Sequence, residues 1–292
     1  MQPEIDFVGV RRCRLGESPV WDPELRALFW VDAVGETVVR HDLASGEERA
    51  YAAPDVVGSI VLGATGSLVA GVKDRICRLD LASGRFDALI HLDDQPSEVR
   101  LNDGKTDRQG RYVTGSMGPP YGSQAPGRLY RFDRGGEVAV LRSGIVVSNA
   151  ICFSPKGERL YFADSVQRTI CAYDYDPDTG AAGPPVVLID TAPLNSFPDG
   201  ATVDAAGDIW VALTQTDEIA RFAPDGRLKD RIALPIPMPS CPAFGGPDLD
   251  VLFVTSISDS GLQFRTDHPD GGRTLAIRGL GVRGLPETRC RL

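Results

Sequence analysis

Short apolar strands recur along this chain at a long, nearly constant period. Six stand out: LFWVDA (28–33), SLVAGV (67–72), RYVTGS (111–116), LYFADS (160–165), IWVALT (209–214) and LFVTSI (252–257), with starts 39 to 49 residues apart. Runs of this length, mostly apolar and bounded by turn residues, read as strands. Behind most of them comes a second strand and a tight turn, as in VVRHDLASGE, ICRLDLASGR, LYRFDRGGEV, ICAYDYDPDTG and IARFAPDGRL. The S-G, G-G, T-G and D-G pairs supply the positive φ that hairpin turns demand. Ahead of each apolar strand lies another short segment ending in a turn, such as SPVWDPELR, ICFSPKGER and ATVDAAGD. Three or four strands per repeat, repeated six times, predict an all-β six-bladed propeller.

The period covers nearly the whole chain, so residues 1–292 are expected to form a single propeller domain; two stacked β domains would not give one continuous period. The last repeat, ending in TLAIRGL, lacks an outermost strand, while DFVGVRR near the N-terminus precedes the first repeat and has none to serve. The N-terminal strand is therefore expected to complete the last blade and close the ring, which removes a free edge.

Composition fits this picture and narrows the function. The 32 glycines and 22 prolines are scattered, as many turns require, and 42% of residues are hydrophobic. A net charge of −9 without a basic cluster argues against nucleic acid or an anionic membrane as partner. No run approaches the ~18 apolar residues of a membrane span, and the first residues, MQPEID, lack the basic start of a signal peptide. The expectation is a cytoplasmic protein, a monomer or weak homo-oligomer. The six cysteines, at 13, 77, 152, 171, 241 and 290, include no C-x-x-C pair and read as buried thiols. The three histidines, His41, His91 and His268, fall in outer hairpins or loops, and no G-x-S-x-G is present, so a serine–histidine triad has no parts.

The segment before each apolar strand should be the innermost strand of its blade. Counting five residues back from the turn that follows it gives Glu17, Gly58, Asn102, Asn149, Asp199 and Pro242. Equivalent positions of a propeller meet at one level of the axis, so Glu17, Asn102, Asn149 and Asp199 should converge. Arg100, two residues before Asn102, shares its side of the strand. Two carboxylates brought together repel unless a cation lies between them. An all-oxygen donor set suits Ca²⁺, Mg²⁺ or Mn²⁺ and can accommodate Zn²⁺. The fold expectation thus includes a central site for one divalent cation. Asp103 and Asp204 are expected to be supporting or turn residues.

At these residues the sequence resembles the regucalcin/gluconolactonase family, which also includes senescence-marker and luciferin-regenerating proteins. The resemblance is carried by LGESPVW (15–21), RLNDGKTD (100–107), SNAICFSPKGERLYFAD (148–164), FPDGATVDAAGDIWVAL (197–213) and FGGPDLDVLFVTS (244–256). It implies a metal-dependent hydrolase of aldonolactones such as glucono-, xylono- and arabinono-lactone. By the same resemblance Glu17, Asn149 and Asp199 hold the metal, Arg100 and Asn102 bind the small sugar-lactone substrate, and Asp199 is the general base. The family often places an acidic or polar group over the substrate from the loop that here reads MGPPYGSQAP (117–126); this loop has no carboxylate, which leaves Tyr121, Ser123 or Gln124 for the part. The alternative on the same site is a calcium-binding regulatory protein without turnover. A propeller used only as a protein-interaction platform would not need the polar ring.

Overall fold

Backbone pairing sorts the strands into six antiparallel four-stranded sheets in the computed structural model, which describes residues 3–118 and 127–292. The innermost strands of blades 1 to 6 are Gly16–Asp22, Val57–Leu62, Arg100–Thr106, Ser148–Phe153, Pro198–Val203 and Pro239–Gly245. The second strands run over Ala27–Asp32, Ser67–Val72, Tyr112–Met117, Arg159–Asp164, Ile209–Leu213 and Val251–Ser256, within a residue of the periodic runs in the sequence. In blades 1 to 5 the four strands follow one another in chain order. In blade 6 the fourth place belongs to the N-terminal strand Glu4–Val8, which pairs with Thr274–Arg278. Asp6 is bonded to Arg278 at 2.8 Å, and the Arg273 guanidinium lies 3.9 Å above the Phe7 ring. The ring closes between blades 6 and 1, where the Ser240 hydroxyl donates to the carbonyl of Gly16.

The radial order of strands explains why the second strands carry the apolar runs. They lie between neighbouring sheets and are buried almost throughout, whereas outer strands such as Phe86–His91 and Leu228–Ala233 are largely exposed. Six apolar clusters fill the six spaces between adjacent blades. Phe29, Val31 and Ile60 lie between blades 1 and 2, for example, and Trp210, Phe244 and Leu252 between blades 5 and 6. Each fully buried Leu or Phe contributes roughly 1.5–3 kcal/mol, so the ring rests on six apolar interfaces. All six cysteines are unpaired and buried within this packing. The only helical elements among the described residues are the one-turn pieces Ser165–Gln167 and Ala192–Leu194, and no helix is long and apolar enough to cross a membrane.

The C-terminal segment crosses the face formed by the inner-hairpin turns. Arg283 O accepts from Ala205 N in blade 5, Gly284 N donates to Leu249 O in blade 6, and Cys290 N and Arg291 N donate to Leu62 O and Gly110 O in blades 2 and 3. Arg289 adds bonds to Asp22 at 2.8 Å and Glu24 at 3.1 Å in blade 1. This strap leaves the opposite end of the channel as the open one.

Candidate functional site at the channel mouth

Every inner strand carries a β-bulge just beyond its start: after Glu17, Leu101, Asn149 and Pro198 in blades 1, 3, 4 and 5, and after Val57 and Pro239 in blades 2 and 6. A bulge breaks the period-two alternation and re-aims a side chain, here at the level of the predicted polar ring. In blades 1 and 4 the residue after the ring position, Ser18 or Ala150, takes a positive φ of 50° or 54°. The segments leading into these two strands are clamped by aspartates at the ends of the neighbouring second strands. Asp32 accepts from Arg14 N and Leu15 N at 2.9 and 3.0 Å, and Asp164 from Val146 N and Val147 N at 3.1 and 3.0 Å.

Glu17, Arg100, Asn102, Asn149 and Asp199 all line one pocket at the open end of the channel, of about 690 Å³ including the space at its mouth. Gly58 holds the same register in blade 2. A Cβ there would lie 2.5 and 2.6 Å from the carbonyl oxygens of Leu101 and Asn102, so only glycine lets blade 3 approach and place Asn102 near the axis. The blade 6 position needs correction. Pro239 pairs with Ser256 as Gly16 pairs with Asp32, which makes Ser240, not Pro242, the equivalent residue. Gly245 pairs with Val251 as Asp22 pairs with Ala27 and lies five residues after Ser240; counting back from Pro247, two residues further into a turn one residue longer, stopped two residues short. Tyr121, Ser123 and Gln124 lie outside the described residues. The three histidines are not among the pocket-lining residues, and Asp204 is a turn residue, accepting from Ala206 N at 2.9 Å and from the Trp210 indole at 3.0 Å.

Arg100 Nη1 donates to Asn102 Oδ1 at 2.7 Å, and Asn102 Nδ2 donates to Ser148 O at 2.9 Å and Asn149 Oδ1 at 3.2 Å. Below them Asp103 Oδ2 accepts from Ile151 N at 2.8 Å, and burial pushes its carboxyl up to about 6. Lys105 sits deeper in the channel, 3.4 Å from Glu287 of the C-terminal strap. Burial is the largest single influence and opposes its charge, but Glu287, Asp103 and the neighbouring Cys241 and Cys152 thiols together outweigh it and hold Lys105 above the ordinary lysine value. Sequence reasoning missed this pair because 182 positions separate its members.

The two ring carboxylates are open to the pocket and otherwise enclosed by protein. Burial, followed by the Asp199 and Asp103 charges, pushes Glu17 well above its ordinary value, and burial pushes Asp199 up to about 7 against a hydrogen bond from Thr214. Arg100, lowered by burial to about 10, is the nearby counter-charge for Glu17. The pocket therefore holds more negative than positive charge, and its two carboxylates and the Asn149 amide oxygen are hard oxygen donors that fit a divalent cation. Among the described residues no three His, Cys, Asp or Glu side chains cluster, so such a cation must rely on the amide as well.

These shifts predict a pH dependence of stability. A carboxyl whose folded pKa is raised stabilises the fold fully below its unfolded pKa, near 4 for Asp, and the contribution is lost as pH rises through the folded value. In chelator, the unfolding midpoint is expected to fall between pH 4.5 and 7.5, and to fall less in Asp199→Asn; equal slopes would mean that Asp199 is not the group concerned.

A sequence profile described as the SMP-30/gluconolactonase/LRE-like region matches residues 15–258. Regucalcin from Gallus gallus is 32% identical over 289 residues, 97% of each chain. Pentonolactonase XacC from Haloferax volcanii is 34% identical over 250 residues, 85% of this chain and 84% of that one. Among solved structures, a calcium-binding protein, regucalcin, from Agrobacterium tumefaciens superposes with a TM-score of 0.93 at 28% identity, covering 100% of this chain and 99% of that one.

Proposed function

The chain belongs to the SMP-30/gluconolactonase/LRE-like family, and from that premise we propose that it hydrolyses sugar-acid lactones to the open acids, using one divalent cation. The observation that carries this reading is the convergence of Glu17, Asp199, Asn149, Arg100 and Asn102 on one pocket. The similarity to a pentonolactonase supports the lactone as substrate class, and the similarity to a calcium-binding regucalcin supports the cation.

Glu17, Asn149 and Asp199 would hold the cation; when bound, it supplies positive charge that polarises a carbonyl and acidifies water. Asp199 accepts the proton of the attacking water as the new C–O bond forms at the lactone carbonyl carbon. When the ring C–O bond breaks, the departing alkoxide takes that proton back from Asp199, leaving a hydroxy acid. Arg100 and Asn102 orient the ring hydroxyls, and their mutual bond at 2.7 Å keeps both side chains in place before substrate arrives. The apolar wall of Met117, Val166, Phe197 and Phe264 limits water around the reacting centre.

The test is a panel of glucono-, xylono- and arabinono-lactones with metal-stripped protein, Ca²⁺, Mg²⁺, Mn²⁺ or Zn²⁺ being added back singly and acid release followed with a pH indicator. Turnover is expected to return with at least one cation. Tight calcium binding with no turnover of any lactone would instead favour a calcium-binding protein without catalysis, the reading suggested by the regucalcin relatives.

A further inference from the structure

The polar side chains of the pocket form a single directed relay. Arg100 donates to Asn102, and Asn102 to Asn149; Asn149 Nδ2 then donates to Ser165 Oγ at 2.9 Å, and Ser165 Oγ donates to Pro198 O at 2.7 Å. A guanidinium can only donate and a peptide carbonyl can only accept, so the two ends fix the sense of every link between them. Neither amide can turn over without setting donor against donor or acceptor against acceptor. The Asn149 nitrogen is thereby committed to Ser165, and its oxygen keeps one lone pair beyond the bond from Asn102.

A hydroxyl occupies the same place one blade on, where its single O–H faces two acceptors, the ring carboxylate and the next blade's carbonyl. Thr214 stands where Ser165 stands, directly after the second strand, and its Oγ1 lies 3.1 Å from Asp199 Oδ2 and 3.0 Å from Pro239 O. Pro239 begins the inner strand of blade 6 as Pro198 begins that of blade 5. The corresponding residues of blades 1, 2, 3 and 6 are Ala33, Lys73, Met117 and Ile257, none with a hydroxyl. At this register position, among the described residues, a hydroxyl bridging to the next blade thus appears only in the two adjacent blades that present Asn149 and Asp199.

We propose that Ser165 and Thr214 are positioning residues that hold the Asn149 amide oxygen and the Asp199 carboxylate in the orientation a divalent cation requires; this rests on the cation reading of the site given above. Without Ser165 the Asn149 nitrogen loses its acceptor, and only the 3.2 Å bond from Asn102 still opposes turning the N–H groups toward the cation. Outer partners of metal ligands commonly govern affinity in this way.

The experiment is calorimetric titration of metal-stripped protein with Ca²⁺ and with Mn²⁺, alongside thermal unfolding in chelator. Ser165→Ala and Thr214→Val are expected to bind roughly 10–100-fold more weakly, with an unfolding midpoint in chelator close to that of the unsubstituted protein. Ser165→Thr and Thr214→Ser, which keep the hydroxyl, are expected to restore binding. Unchanged affinity in Ser165→Ala and Thr214→Val overturns the proposal, as does a loss that the hydroxyl-retaining variants share, since that would trace to side-chain size. An unsubstituted protein that binds neither ion overturns the cation reading itself, a different failure with a different signature.

Discussion

Asp199→Asn is expected to lower kcat on a sugar lactone by roughly 10²–10⁴-fold with cation saturating, the usual worth of a positioned general base. The substitution preserves size, and the Thr214 hydroxyl 3.1 Å from Oδ2 still meets a polar atom. It removes only the ability to accept a proton and one negative charge. Losing that charge weakens the cation site, which is why the comparison is made at saturation, but it also relieves the repulsion that raises Glu17. The metal-free variant is therefore expected to be at least as stable as the unsubstituted protein at neutral pH. Arg100→Ala provides the contrast, because a group that orients substrate acts substantially through KM. A nearly normal kcat in cation-saturated Asp199→Asn would show that water is activated without this carboxylate.

The fold was legible because propeller geometry writes itself into local sequence. Each second strand is buried on both faces, so LFWVDA and IWVALT appear as apolar runs, and the third strand returns through turns such as S-G or D-G. The ring of polar residues was legible for the same reason: equivalent positions keep their distance from the turn as long as the hairpin keeps its length. Blade 6 shows the limit of that logic, since its longer turn offers Pro247, two residues beyond the Gly245 that matches Asp22, and the count lands on Pro242 instead of Ser240. The strap and its Glu287 were out of reach, because nothing in a non-repeating tail states which turns it will cross. Ser165 and Thr214 lay in plain view at the ends of LYFADS and IWVALT. Their meaning depends on a carbonyl of the next blade, a contact that no pattern within one repeat encodes.

Removing the cation is expected to cut lactone turnover by about 10³-fold or more, since a Lewis-acid centre supplies several kcal/mol of charge stabilisation and each 1.36 kcal/mol is tenfold. The fold should survive the loss. Its stability rests on six apolar inter-blade clusters, and the candidate ligands come from inner strands already fixed by pairing with their second strands. The β signal in circular dichroism should therefore be unchanged in excess chelator. The unfolding midpoint should drop most at neutral pH, where Arg100 alone is left to offset Glu17 and Asp199, and least near pH 5, where a proton takes the place of the cation. Activity and midpoint should return together on adding back a suitable ion. Full turnover in excess chelator, with elemental analysis finding no bound metal, would remove the cation from the reaction and leave Arg100 as the electrophilic group to test next.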